Sequence, residues 1–98
     1  GLLPGGLGRL LAGNPEKAQN LRVAQDLARK YPDLPQAHFA VAQAALAAQD
    51  DTLALGEAQK ASQLRPDWEL AAIFEAEILQ RSSATAAEAR LADFLSKE

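Results

Sequence analysis

The sequence has no cysteine, no methionine, and a single tryptophan and tyrosine. Without cysteine there is no disulfide framework, no thiolate metal site and no cysteine nucleophile. Valine, isoleucine and threonine together number six, against 22 alanines and 16 leucines, a balance that favours helix over strand. No apolar run approaches the ~20 residues a membrane-spanning helix requires, so direct membrane insertion is not expected. Excess positive charge is also lacking: ten Lys and Arg against 13 Asp and Glu give a net charge of −3. Phosphate-backbone binding needs the opposite sign, so nucleic acid is not an expected partner. The 98 residues fit one domain with a modest core and exclude a two-lobed catalytic architecture. With no signal-peptide pattern and no initiator methionine before Gly1, the chain reads as an excised or processed segment.

What is present is helix punctuation. Asn14-Pro15-Glu16 supplies a capping side chain, a proline for the first helical position and an acid at the positive end of the macrodipole. Leu21, Ala24, Leu27, Ala28 and Tyr31 then recur on one stripe of a helical period, predicting a helix over 14–31 that Pro32 stops. A second helix is expected over 35–49, broken by Asp50-Asp51, which can cap a third over 52–64. Asp67 is expected to cap a fourth over 68–81, and Ser82-Ser83 to open the turn into a fifth over 84–96. Residues 1–13 read as irregular or a short helix, because Pro4-Gly5-Gly6 resists helix. Connections of a few residues make consecutive helices antiparallel neighbours.

Shifted on itself by 34 residues, the chain superimposes its own punctuation. Pro32-Asp33 falls on Pro66-Asp67, Ala37 on Ala71, Ala42 on Ala76, Leu21 on Leu55 and Gln25 on Gln59. Ala24, Ala58 and Ala92 form one column. On these residues the chain resembles the tetratricopeptide repeat, a 34-residue helix–turn–helix unit with a terminal proline. In the unit over 35–66, His38 takes the family's tryptophan place, Val41-Ala42 its Leu-Gly pair and Ala45 its tyrosine place. Ala54 and Ala61 match the small positions of the second helix, Ala58 its aromatic position and Pro66 the terminal proline. The aromatic knobs are thus replaced by His or Ala, and the following unit has Ala72 and Leu79 where Trp and Tyr are usual.

The resemblance implies an all-α fold, a right-handed solenoid of antiparallel helix hairpins about two and a half repeats long. Residues 14–31 would be the second helix of a partial repeat, 35–66 a full repeat and 67–98 a further one. It also implies a non-enzymatic scaffold that holds a partner protein or peptide in a concave groove, without a cofactor. The implied lining is Gln36, Phe39, Gln43 and Leu46 in one unit and Leu70, Ile73, Glu77 and Gln80 in the next, with Arg81 at the edge. The texture is also similar to repeats of bacterial envelope lipoproteins that scaffold periplasmic proteases. The competing function is therefore a structural segment of a larger repeat protein that self-associates through its terminal helices. The sequence does not fix a compartment.

Residues that invite catalytic readings have plainer ones. His38 has no local motif bringing a nucleophile or carboxylate to it and no metal-binding partner three or four residues away, so it is expected in the core. A hydrolase would need a closed polar pocket around it. Asp50 and Asp51 read as caps. Glu69, Glu75, Glu77 and Glu88 read as structural or solvated, with Glu75 and Glu77 on different helix faces. Gly5-Gly6-Leu7-Gly8-Arg9 lacks both the Gly-Lys-Ser/Thr ending and the preceding strand of a phosphate loop. Trp68 has two readings, a partner-binding hot spot or a joint between units packed on Leu34 or Leu64.

Overall fold

The computed structural model describes residues 15–97. The expectations for residues 1–13, the Asn14 cap and the glycine-rich segment lie outside the described residues. The described chain is all-helical: α1 (Pro15–Lys30), α2 (Pro35–Ala47), α3 (Asp51–Leu64), α4 (Glu69–Gln80) and α5 (Ala84–Ser96). No described helix is long and apolar enough to cross a membrane.

The turns explain the boundaries. Residues 31–34 and 65–68 form the same turn, closed by Leu34 N–H to the Tyr31 carbonyl and Trp68 N–H to the Arg65 carbonyl, each at 3.1 Å. Pro32-Asp33 and Pro66-Asp67 occupy the centres of these turns, where proline presets φ and aspartate is favoured. Asp67 is therefore not the cap expected of it. It lies one residue early, and Trp68 is the N-cap of α4 without a side-chain hydrogen bond. The other connections do use side-chain caps: Asp50 accepts from Leu53 N–H and Ser83 from Ala86 N–H. Helix α2 ends two residues before expected, in a left-handed Gln49 (φ 66°). Gln49 N–H bonds the Leu46 carbonyl and Asp50 N–H the Ala45 carbonyl, a Schellman closure in which glutamine stands where glycine is usual.

Each helix packs on its sequence neighbours, and these four successive pairings are the only extensive ones among the described residues. The result is a flat body of 53 × 33 × 14 Å. Its interior is largely alanine. Ala37, Ala42, Ala45, Ala54, Ala58, Ala61 and Ala71 are fully buried, and Val41 is the largest side chain buried to that degree. Helix α1 contributes Ala24 and Ala28, which cluster with Ala37 and Val41 of α2. Its Leu27 and Tyr31 are exposed instead, since α2 covers only the alanine side of the stripe.

The 34-residue spacing holds from the end of α1 to the end of α3 and from the start of α2 to the start of α4, but α5 enters one residue early. The caps Asp50 and Ser83 stand 33 apart. Buried Ala54 and Ala61 accordingly recur as buried Ala87 and Phe94. This corrects the Ala24–Ala58–Ala92 column: Ala92 is exposed, and Leu91 stands in the place of Ala58.

Ala58 tests the small-residue packing. Its Cβ has no free surface, so Ala58→Phe should destabilise by about 1–3 kcal/mol through overpacking. Urea unfolding followed by circular dichroism should show a lower midpoint; an unchanged midpoint would contradict this packing.

Candidate functional site

Two polar clamps tie the helices together. His38, on the first turn of α2, is buried with Nδ1 2.8 Å from Glu57 Oε1 of α3 and Nε2 2.7 Å from the Pro32 carbonyl. Both neighbours are acceptors here, so the ring makes both bonds together only when both nitrogens carry a proton. The ring thus holds the α1–α2 turn to α3, a core position as expected. Glu57, 19 residues away, is a partner that local spacing could not reveal. Its other oxygen accepts from Lys60 at 3.0 Å. Burial pushes the Glu57 carboxyl up, but hydrogen bonds from His38 and Lys60 and their charges outweigh it and hold the group below its ordinary 4.5.

The second clamp joins three helices. Glu75 of α4 is buried and receives Arg90 of α5 through Nε and Nη2, at 2.9 and 3.0 Å. Ser62 of α3 donates to the same carboxylate and accepts from Arg90 at 3.2 Å. Hydrogen bonding to Glu75 outweighs burial and, with the charges of Glu75 and Asp93, holds Arg90 above the usual arginine value. Arg90 Nη1 is buried without a hydrogen bond and lies 3.7 Å from Asp93 Oδ2. Glu75 and Glu77 do face differently, Glu75 inward and Glu77 to solvent.

These clamps resemble no catalytic constellation. Ser62 faces a carboxylate already engaged by a guanidinium, and no imidazole stands beside it to accept its proton. Among the described residues, no group of three or more His, Asp and Glu is placed to hold a metal ion.

The nine residues implied to line a groove fall into separate environments. Phe39 and Leu46 are half-buried at the junction of α2 with α4. The Phe39 ring packs on Trp68, with centroids 4.9 Å apart, and edge-on to Phe74 at 5.1 Å. Trp68 therefore packs against α2 through Phe39, with Arg65 5.1 Å over its ring. Gln36, Gln43 and Leu70 are exposed. Arg81 spans back to Asp51, Nη1 lying 2.9 and 3.0 Å from the two carboxylate oxygens, and borders a hollow that also includes Leu46. Ile73, Glu77 and Gln80 come together, in a groove of about 310 Å³ completed by Ala76 of α4 and by Ala87, Glu88 and Leu91 of α5. Sequence reading missed the α5 wall, because the displaced register of α5 carries no mark in an alanine-rich helix.

The chain matches no family model, no curated protein sequence and no solved structure.

The lowered Glu57 carboxyl has a consequence for pH. A group held below its ordinary value in the fold contributes stability that is complete above about 4.5 and is lost as pH falls through the lowered value. Between about pH 6 and pH 3 the native protein should therefore lose more thermal stability than Glu57→Gln, the two converging at the acid end. Parallel melting-temperature profiles would contradict the clamp.

Proposed function

We propose that this chain is a tetratricopeptide-like solenoid segment that acts as a non-enzymatic scaffold for a protein or peptide partner. One observation carries the reading: the same Pro-Asp turn recurs 34 residues apart between helices that pack in linear succession. Phe39, Trp68 and Phe74 lock α2 and α4 side by side at the joint. In this arrangement the helices form antiparallel hairpins, α2 with α3 and α4 with α5, and stack with a right-handed superhelical step.

The first helices of the hairpins then present a shared concave face on which Gln36, Gln43, Leu70 and Glu77 stand exposed. Phe39 and Leu46 hold that face together from behind. Binding works by shape: a face fixed by stacked hairpins loses little freedom when a partner settles on it. The alanine- and glutamine-rich texture favours a bacterial source for this scaffold.

The test is capture from a bacterial lysate by the immobilised chain, compared with Gln36→Arg/Gln43→Arg. Both positions are exposed, so circular dichroism should show unchanged helicity while capture is lost. Capture that survives both substitutions, or no capture by the unaltered chain, would overturn the concave-face reading.

A further inference from the structure

The groove between α4 and α5 has an internal precedent. With α4 in its 34-residue register and α5 in its 33-residue register, each lining residue has a counterpart one unit earlier. Ile73 stands for Phe39, Ala76 for Ala42, Glu77 for Gln43, Gln80 for Leu46, Ala87 for Ala54, Glu88 for Leu55 and Leu91 for Ala58. The earlier groove is filled, and what fills it is α4. Phe39 packs on Trp68 and Phe74, and Leu46, Ala54 and Leu55 share one apolar cluster with Phe74 and Ile78.

The later groove keeps the same small floor, Ala76 and Ala87 being buried, but its walls are open. Ile73 is 40% exposed and Leu91 37%, where Ala58 is fully covered. Two substitutions between the grooves change the charge. Glu77 replaces Gln43 and Glu88 replaces Leu55, and both are exposed. No Lys or Arg lines this groove. A helix of α4's own kind, carrying Glu69 and Glu77, would meet like charge there.

We propose that the α4/α5 groove is a seat for a single helix of a partner protein, an amphipathic helix with lysine or arginine beside its apolar stripe. The geometry of the seat is that of the α4 interface repeated, so the partner helix lies where α4 lies on the preceding unit. Its stripe carries bulky residues spaced as Trp68, Phe74 and Ile78 are. Its basic residues meet Glu77 and Glu88 at the rims, which excludes an acidic helix of equal shape. This inference rests on the repeat reading; Glu77 belongs to both surfaces, and Glu88 and Leu91 of α5 set the groove apart from the concave face.

The probe is a fluorescein-labelled peptide of residues 68–81 with Glu69, Glu75 and Glu77 replaced by lysine. It is compared with the unaltered peptide and with a scrambled peptide of the lysine composition. Fluorescence anisotropy against the intact chain should show the lysine peptide binding at least roughly tenfold tighter than either control. Leu91→Glu, at a site 37% exposed, should weaken it by a similar factor. Glu77→Lys/Glu88→Lys should reverse the preference toward the unaltered peptide. Gln36→Arg/Gln43→Arg should change nothing. Absence of binding, equal binding of the scrambled peptide, or indifference to both groove variants would overturn the seat. Loss of peptide binding in Gln36→Arg/Gln43→Arg alone would place the partner on the concave face, leaving the scaffold function standing and this inference refuted. Concentration-dependent self-association in sedimentation, abolished by Leu91→Glu, would refute the basic-helix assignment in favour of a second copy of the chain.

Discussion

Close approach of helices through alanine is the constraint on which the rest of the structure depends. Among the described residues seven alanines are fully buried, and no side chain larger than valine is buried to that degree. An alanine interface lets two backbones come together, but each methyl removes little apolar surface from water. Direction and register must then come from a few larger groups. The His38–Glu57 and Glu75–Arg90–Ser62 clamps and the Phe39–Trp68–Phe74 joint do this, each linking different elements. The clamps are costly to break on one side only, because the remaining charge would be buried without its partner. They fix how the rows of alanines face one another more than they add net stability.

The same constraint explains where the open surface lies. Helices that pack mainly on their sequence neighbours leave lateral grooves, and α4 covers the one between α2 and α3. Between α4 and α5 among the described residues the groove is unfilled, and its larger wall residues, Ile73 and Leu91, are in partial contact with water. Glu77 and Glu88 stand exposed at the rims of that groove.

The helices were legible because their punctuation is local. Proline before aspartate at the centre of a four-residue turn, Asp50 and Ser83 as caps, and the alanine periodicity act within a few residues. The five helix positions follow from them to within about two residues. What was not legible depends on distance or on register. Asp67 looks like a cap in sequence, yet the turn holds it one residue out of place. Glu57 meets His38 only because α2 and α3 are packed together. The one-residue advance of α5 leaves no trace where Ala86, Ala87, Ala89 and Ala92 follow one another. That advance made Ala92 look like the counterpart of Ala58 and hid Leu91 from the candidate site. Phe39 and Leu46 share a helix face with Gln36 and Gln43, but the arrival of α4 beside them turns two into a joint and leaves two in solvent.

Stability here is passed between neighbouring helices along a row, through apolar clusters that adjacent helices share. Native-state hydrogen exchange measured by NMR tests it most directly, because each amide reports the smallest opening that exposes it. A gradient is expected: the slowest amides in α2, α3 and the inner face of α4, and faster exchange in α1 and α5 through openings that leave the centre folded. Equal protection in all five helices, matching the free energy of global unfolding, would contradict it.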